Sequence, residues 1–237
     1  MVVRAVCFDL DNTLWDVRPV IRRAEQAMYD LLATRYPRVV AALTAEDLRE
    51  ARVRIAETFP QMRHDFTFLR QQALRDHARD FGYPEIMVEE AFAAFIRARN
   101  QVELYPDVRP GLDLLFAQYR LFTVTNGNAD LEQIGLAHYF ERMLAARQAG
   151  ALKPDPAIFR QVVAGSGLAL HEVVYVGDDP ELDVEGARRA GMQAIWMNRD
   201  DARWPSGLEQ PVHMVRSVVD LIPLLSALGS RRSAGSA

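Results

Sequence analysis

Two aspartates stand two residues apart near the start of the chain, within the stretch FDLDNTLWD. They follow a short apolar run at 2–8 that is typical of a buried strand. Because side chains alternate between the two faces of a strand, we expect Asp9 and Asp11 to project to one side at its carboxyl end. Two neighbouring carboxylates repel each other unless a cation lies between them. An Asp can also cap a turn, so the pair alone indicates either cation-assisted acid chemistry or a structural turn.

Polar residues also end two further predicted strands. The stretches 120–125 and 171–177 are short and apolar, and helical patterns lie between the predicted strands. Strands that alternate with helices indicate a mainly parallel sheet, and such sheets bind ligands beyond the carboxyl ends of their strands. We therefore predict one site that collects the residues at these ends: Asp9 and Asp11, Thr125 and Asn126, and Asp178 and Asp179, with Lys153 at the start of an intervening helix.

Lys153 is the single lysine among 28 basic residues, the others being arginine. A flexible ammonium and a rigid, planar guanidinium do not replace each other at every site. The lysine is either a chance survivor of compositional drift or a position that requires a compact charge. Its place in the stretch LKPDP, before a predicted helix, favours function.

Few reactions need carboxylates, a lysine, a threonine hydroxyl and backbone N–H groups in one place. Mg²⁺ is usually held by one or two carboxylates together with a phosphate oxygen. Lysine, hydroxyl and backbone N–H groups suit the other phosphate oxygens. A carboxylate beside a bound phosphate can act as a nucleophile and form an aspartyl-phosphate. The set therefore favours Mg²⁺-dependent chemistry on a small-molecule phosphate ester.

A block of helical patterns separates the first predicted strand from the others. Helices are predicted over 18–35, from the N-cap Thr44 towards residue 58, over 66–80 and from Pro84 onwards. The predicted organisation is a discontinuous α/β core at 1–15 and 101–228, a helical cap at 16–100 and a disordered polar tail at 229–237.

Composition excludes several classes of protein. The 237 residues are 49% hydrophobic and contain no apolar run of membrane-spanning length, so we expect no membrane partner and no signal peptide. The net charge of −4 and the scattered basic residues argue against nucleic-acid binding. Cys7 is the single cysteine, which excludes an internal disulfide and is consistent with a cytoplasmic location. The sequence does not indicate an oligomeric state.

Four motifs carry a family resemblance, in their order along the chain. They are Asp9-x-Asp11-x-Thr13, Thr125-Asn126, Lys153-Pro154 and Gly177-Asp178-Asp179-x-x-x-Asp183. Together they resemble the motifs of the haloacid dehalogenase-like (HAD) hydrolases, and the resemblance covers nearly the whole chain except the tail. It implies a three-layer, Rossmann-like α/β core with a mainly parallel sheet. The helical block resembles the inserted C1-type α-helical cap of that superfamily.

The resemblance also implies a role for each site residue. It makes Asp9 the nucleophile that attacks phosphorus, and Asp11 the acid that protonates the leaving oxygen and later activates water. Thr125, the backbone N–H of Asn126 and Lys153 are implied to bind the phosphoryl group. Mg²⁺ is implied to bind the Asp9 carboxylate, the Asp11 backbone carbonyl and Asp178. Supporting roles fall to Thr13, which shapes its loop, and to Asp179 and Asp183, which orient water or Lys153.

The choice of substrate is weakly indicated. Stretches such as 63–65 and 138–141 are similar to a bacterial branch of phosphatases that act on flavin mononucleotide and on 5-amino-6-(5-phospho-D-ribitylamino)uracil, a riboflavin precursor. Nucleotides and sugar phosphates remain open as substrates. Trp15 and His64 are candidate substrate contacts, although packing for Trp15 and helix-start polarity for His64 are the simpler interpretations.

Three function classes compete at this point. The first is a Mg²⁺-dependent phosphatase. The second is another HAD chemistry: a dehalogenase needs no acid at Asp11 because halide leaves without a proton, and a mutase needs a second phosphate site in the cap. The third is a non-catalytic protein that binds a metabolite on the same fold. Such a protein should have lost at least one of Asp9, Asp11, Lys153 and Asp178, and because all four are present the residues favour the phosphatase.

Overall fold

The structure is a computed structural model that describes residues 2–230. The chain forms two compact units. The α/β unit comprises the described residues of Met1–Asp16, Glu103–Asn126 and Gly135–Ala237, and the helical unit comprises Val17–Val102 and Gly127–Ile134. Among the helices in the described range, none combines the length and the apolar character that a membrane crossing requires.

The α/β unit is built on a parallel sheet, as predicted. The order of its six described strands is β3-β2-β1-β4-β5-β6, and every neighbouring pair is parallel. Residues of the central strands β1 and β4 are buried throughout, which explains their continuous apolar sequences. The strands are β1 (Ala5–Phe8), β2 (Arg120–Thr125), β3 (Arg142–Ala145), β4 (Val173–Gly177), β5 (Gln193–Met197) and β6 (His213–Val215).

Helices cover this sheet and supply its core. Phe159 packs edge-to-face on Tyr175 of β4, with ring centroids 4.9 Å apart, and both side chains are fully buried. A π-helical turn, Pro180–Glu185, leads directly into the helix that begins at Gly186. The helices of the described chain are α1 (Val17–Arg35), α2 (Pro37–Ala42), α3 (Ala45–Thr58), α4 (Phe66–Asp80), α5 (Ile86–Arg99), α6 (Val108–Phe116), α7 (Leu131–Ile134), α8 (Ala146–Ala149), α9 (Pro156–Val163), α10 (Gly186–Ala190) and α11 (Leu221–Ser230).

The helical unit consists of α1 to α5 with the short helix α7. Thr44 caps α3 in a reciprocal arrangement: its hydroxyl accepts from the backbone N–H of Asp47, whose carboxylate accepts from the backbone N–H of Thr44. The largest apolar cluster of this unit packs faces of α1, α3, α4 and α5 together, through side chains such as Leu32, Leu74 and Phe95.

Several predicted elements agree closely with the structure. The predicted bounds of α4 and β2 are those observed, and the predicted cap at Thr44 is present. The sequence did not predict α2, β6 or α11. Of the predicted tail, Gly229 and Ser230 instead end α11, and 231–237 lie outside the described residues.

The structure also groups one segment differently from the predicted domain boundaries. The stretch Gly127–Ile134 was assigned to the α/β core but belongs to the helical unit. Asn100 links it to the end of α5, because its Oδ1 accepts from the backbone N–H of Asp130 at 2.9 Å and its Nδ2 donates to Gln133 Oε1 at 3.2 Å. Nδ2 of Asn128 also donates to Thr67 Oγ1, at 3.4 Å.

Candidate active site

Three adjacent strands carry the candidate site at their carboxyl ends. Strand β1 lies between β2 and β4, so the residues that follow each of them come together at one edge of the sheet. Asp9 continues the ladder of β1, since its backbone N–H donates to Val176 O at 2.8 Å. Thr125 is the last residue of β2 and is buried, while Asp178 directly follows β4. The sheet topology therefore produces the convergence that the sequence predicted.

The ammonium group of Lys153 lies between two carboxylates, those of Asp9 and Asp183. Its Nζ donates to Asp9 Oδ1 at 2.5 Å and to Asp183 Oδ1 at 2.6 Å. All three side chains are at least nine-tenths buried, which makes this a desolvated cluster rather than a surface ion pair. The hydroxyl of Tyr175 lies 3.2 Å from the same nitrogen. A fixed, dry ammonium of this kind holds the orientation of the Asp9 carboxylate.

Three carboxylates crowd this region. One oxygen from each of Asp9, Asp178 and Asp183 lies within 4.8 Å of the other two. Burial raises the pKa of Asp178 to about 7, and the charge of Asp183 adds to the rise. Burial likewise raises the pKa of Asp9, although Lys153 partly counteracts it. With three acids and a single lysine, the cluster favours the gain of positive charge.

Asp183 holds the side chain of Lys153 in place by accepting its hydrogen bond. Its Oδ1 faces Lys153 and Tyr175, and its Oδ2 accepts from the backbone N–H of Asp179 at 3.0 Å. Gly177 is required for this geometry, because a Cβ at that position would lie 2.3 Å from Cγ of Asp183. The carboxylate of Asp179 caps the following turn by accepting from two backbone N–H groups, those of Glu181 and Leu182.

The loop that carries Lys153 is tied to the end of β2 by the side chain of Asn126. Asn126 Oδ1 accepts from the backbone N–H of Lys153 at 2.8 Å, and Nδ2 donates to Lys153 O at 3.2 Å. This two-way contact fixes the backbone from which the lysine side chain extends. The side chain of Asn126 therefore has a structural task in addition to the backbone N–H expected to meet phosphate.

Arg199 supports the loop that follows β1. Its Nε donates to Thr13 O at 2.9 Å, and its two terminal nitrogens hold the Asp107 carboxylate at 2.9 and 3.0 Å. Thr13 Oγ1 in turn lies 3.3 Å from Asp178 Oδ1, to which it donates. A chain of polar contacts thus connects Arg199 to the acidic cluster through Thr13.

Trp15 and His64, the two candidate substrate contacts, lie in different units. Trp15 is fully buried, and its indole Nε1 donates to Asp11 Oδ1 at 2.8 Å, so the structure gives the ring a partner within its own loop. His64 belongs to the helical unit and is half-buried, in the turn before α4. Its neighbour Asp65 caps that helix through the backbone N–H of Phe68.

Sequence reasoning missed three contributors to the site: Tyr175, the side chain of Asn126, and Arg199. A tyrosine in the otherwise aliphatic strand VVYVG was a usable signal, because a buried hydroxyl needs a polar partner. No local pattern marks Arg199, which becomes relevant through contacts with residues 92 and 186 positions away in the chain.

Comparison with known proteins identifies the family. The model of the haloacid dehalogenase-like hydrolases matches residues 3–191. The chain belongs to that family. Among curated relatives, the 5-amino-6-(5-phospho-D-ribitylamino)uracil phosphatase YigB of Escherichia coli (strain K12) is 32% identical over 206 residues, which cover 84% of this chain and 85% of that protein. N-acylneuraminate-9-phosphatase of Homo sapiens is 29% identical over 98% of this chain and 97% of its own length.

Solved structures agree with this assignment. A crystal structure described as a 2-haloacid dehalogenase from Pseudomonas syringae pv. Tomato DC3000 superposes with a TM-score of 0.89 at 36% identity, covering 95% of this chain and 99% of its own. A HAD phosphatase from Thermococcus onnurineus has a TM-score of 0.65 at 26% identity, with coverage of 94% and 98%. The predicted family and Rossmann-like α/β fold are confirmed.

Proposed function

We propose that this HAD-like hydrolase is a Mg²⁺-dependent phosphatase that cleaves small phosphoric monoesters through an aspartyl-phosphate on Asp9. The contact between Lys153 Nζ and Asp9 Oδ1 is the observation that carries the proposal. It holds a buried carboxylate in one orientation at the strand end and places a positive charge where phosphoryl oxygens would lie. The lysine pKa is raised: burial would lower it, but Asp183 and Asp9 outweigh burial. The ammonium is therefore charged at neutral pH in this structure.

The proposed reaction divides between two carboxyl groups. An oxygen of Asp9 attacks phosphorus while Asp11, two residues on, donates a proton to the leaving oxygen. Asp11 then takes a proton from the water that hydrolyses the aspartyl-phosphate. We assign the phosphoryl oxygens to Lys153, the Thr125 hydroxyl and the backbone N–H of Asn126. All these groups lie in the α/β unit: Lys153 extends from the loop before α9, and the others are at or next to strand ends.

The acidic cluster fits a divalent cation. The three close carboxylates exceed the charge of Lys153, and oxygen donors are those that Mg²⁺ prefers. We assign the metal to the Asp9 and Asp178 carboxylates with the Asp11 backbone carbonyl. Asp183 is left to Lys153, because both of its oxygens already accept hydrogen bonds. Bound Mg²⁺ would supply positive charge against the phosphoryl oxygens.

For the substrate we propose flavin mononucleotide or 5-amino-6-(5-phospho-D-ribitylamino)uracil. The similarity to YigB, whose name specifies the second compound, supports this choice. Nucleotides and sugar phosphates are the alternatives, since other relatives are phosphatases of different small molecules. The single, buried cysteine is consistent with a cytoplasmic substrate.

Dehalogenation is the second candidate, and the similarity to the structure described as a 2-haloacid dehalogenase favours it. That chemistry needs no proton donor for its leaving group, because halide departs as a stable anion. Asp11 would then have no leaving group to protonate, and the carboxylates in excess of Lys153 would have no cation to bind. The presence of both therefore supports phosphate ester cleavage in this chain.

Phosphate release from a panel of esters tests the proposal. The panel contains the two flavin-related compounds, nucleotides and sugar phosphates, each with Mg²⁺ and with chelator, and halide release from 2-chloropropionate is measured in parallel. We expect Mg²⁺-dependent phosphate release that Asp9→Asn reduces at least about a thousandfold, while the exposed Asp200→Asn leaves it unchanged. Halide release without phosphate release would overturn the assignment in favour of the dehalogenase. Equal rates across the panel would contradict the flavin-related substrate alone.

Thermal unfolding tests the metal site without reference to activity. Mg²⁺ that binds the folded protein should raise the unfolding midpoint, and Asp178→Asn should remove that rise. Asp179→Asn is the matched control, because the adjacent side chain caps a turn and Asn caps equally well. A Mg²⁺-induced rise that survives Asp178→Asn would place the metal elsewhere.

A further inference from the structure

The indole of Trp15 makes a contact within the α/β unit to which the proposed reaction assigns no task. Nε1 donates to Asp11 Oδ1 at 2.8 Å, and the exposed fraction of the Trp15 side chain is 0%. The carboxyl group that accepts this bond is the one to which we assign both proton transfers. Asp11 itself is half-buried, but a hydrogen bond of this length from a fully buried donor restricts the rotation of the accepting carboxyl group.

The backbone around this contact is held on several sides. Asn12 adopts a left-handed conformation with φ of 60°, and its N–H donates to Trp15 O at 2.7 Å. The N–H of Leu14 donates to Leu10 O at 2.8 Å, which closes a further turn in the same loop. Trp15 also forms a backbone bridge with Leu104. These contacts hold the main chain from which the fully buried indole extends, without involving the Asp11 carboxyl group.

We infer that Trp15 is a positioning residue that orients the Asp11 carboxyl group for proton transfer to the leaving oxygen. The inference rests on the proposed phosphatase function. A carboxyl oxygen that bears a proton accepts hydrogen bonds more weakly than the other oxygen of the group. The indole therefore keeps Oδ1 as the acceptor and directs the acid proton to Oδ2.

The chemical step shows where this orientation matters. An Asp9 oxygen forms a bond to phosphorus, the bond between phosphorus and the leaving oxygen breaks, and its electron pair stays on that oxygen. The proton on Asp11 Oδ2 then moves to the leaving oxygen and leaves Asp11 as a carboxylate. An alcohol requires this proton, because its alkoxide is a poor leaving group. A nitrophenolate leaves readily without it.

Trp15→Phe tests the inference through the leaving group. The variant keeps an aromatic ring and removes the indole N–H. We expect kcat/KM for glycerol 2-phosphate to fall about tenfold more than kcat/KM for p-nitrophenyl phosphate. The ratio of the two values is unaffected by partial unfolding, because unfolded protein turns over neither ester. This parameter also reports steps up to transfer onto Asp9, which separates the acid step from later hydrolysis.

Two further variants sharpen the test. Trp204→Phe is the matched control, since its indole donates to Leu208 O rather than to a site carboxylate, and we expect it to leave both rates unchanged. In an Asp11→Asn background, Trp15→Phe should produce no further selective loss, because the group that it orients is no longer an acid. If Trp15→Phe unfolds, replacement of Trp15 by 3-benzothienylalanine removes the N–H and keeps the bicyclic shape.

The outcomes separate the inference from the proposed function. Equal losses on both esters, or no loss on either, would overturn the positioning role and leave the phosphatase assignment intact. A selective loss that persists in the Asp11→Asn background would also overturn it. Failure of the unaltered protein to release phosphate from these two esters and from every ester of the panel would overturn the proposed function, and the inference with it.

Discussion

The two units of this protein bury charged side chains in opposite ways. In the α/β unit, Asp9, Asp183 and Lys153 are buried together, with both carboxylates on one ammonium. In the helical unit, Arg70 is buried over the ring of Phe95, with its Cζ 3.7 Å from the ring centroid. Its nearest acidic partner, Glu25, lies 3.6 Å away. In the first unit two carboxylates converge on one ammonium, whereas in the second Arg70 lies on an aromatic ring and shares Glu25 with Arg49.

The electrostatic consequences differ accordingly. Burial lowers the pKa of Arg70 to about 10, and the charge of Arg52 adds to the fall, but the guanidinium still remains charged at neutral pH. Its stacking on an aromatic ring is a packing contact that requires no change of charge. In the α/β unit burial, with the charge of Asp183 in addition, raises the pKa of Asp178 to about 7, so a nearby cation would be favourable. Under the proposed function, buried charge there binds a ligand, whereas in the helical unit it contributes to packing.

Lys153→Arg is the substitution that challenges this contrast most strongly. The substitution keeps the positive charge. A planar guanidinium, however, cannot occupy the position of an ammonium that contacts Asp9, Asp183 and the Tyr175 hydroxyl together. We expect kcat/KM for phosphate ester hydrolysis to fall at least about a hundredfold, measured with saturating Mg²⁺.

Because Lys153 is the single lysine of the chain, the control is the reverse substitution, arginine to lysine, at an exposed position. Arg160 is exposed on α9, and Arg160→Lys should leave kcat/KM unchanged. Near-normal turnover by Lys153→Arg would mean that charge alone matters at this position. The α/β unit would then treat its buried cation no differently from the helical unit.

The sequence predicted the site residues better than their neighbours, for a physical reason. Reactive side chains follow strand ends, and a parallel sheet brings those ends together whatever the details of packing. Positions such as Tyr175 and Arg199 act through partners that are distant in the chain, and no local pattern shows those partners. Gly177 illustrates the limit: the sequence places it in a motif, but only the structure shows that the missing Cβ leaves room for Asp183.

The same reasoning explains which elements were missed. Strand β2 and helix α4 were predicted with the observed bounds because each has a clear apolar period and clear polar limits. Strand β6 is three residues long, and its middle residue, Met214, is exposed, so the alternation that identifies a strand is absent. Helix α2 is six residues long, and Pro37 at its first position resembles a break that ends the preceding helix.

Asp107→Asn compares a simple ion pair of the α/β unit with the three-carboxylate cluster of the same unit, because Asp107 pairs with Arg199. Burial would raise the pKa of Asp107, but the Arg199 guanidinium and the N–H of Val218 outweigh it and lower the pKa. A depressed pKa in the folded state means that the contact stabilises above about pH 4 and that stabilisation is lost as pH falls further. We expect Asp107→Asn to reduce the free energy of unfolding by about 2 kcal/mol at pH 7.

Urea unfolding at several pH values checks this prediction. The difference between Asp107→Asn and the unaltered protein should shrink as pH falls below about 4, where the native Asp107 also becomes neutral. Asp200→Asn, an exposed aspartate in the same unit, should show no comparable difference at pH 7. A gap that stays constant down to acidic pH would mean that shape, not charge, makes Asp107 stabilising.

Thr44→Ala has the smallest expected effect and tests whether polar residues of the helical unit act on stability alone. It removes the reciprocal cap of α3, and we expect the free energy of unfolding to fall by about 1 kcal/mol. Thr34→Ala is the matched control, since Thr34 Oγ1 donates to Asp30 O within a helix and Ala favours helix there, so stability should hold or rise slightly. Both variants should keep kcat/KM for p-nitrophenyl phosphate. A fall in kcat/KM for Thr44→Ala, measured where the variant is fully folded, would contradict the view that polar residues of the helical unit affect stability alone. A helix cap far along the sequence from every strand-end residue would then influence the chemistry.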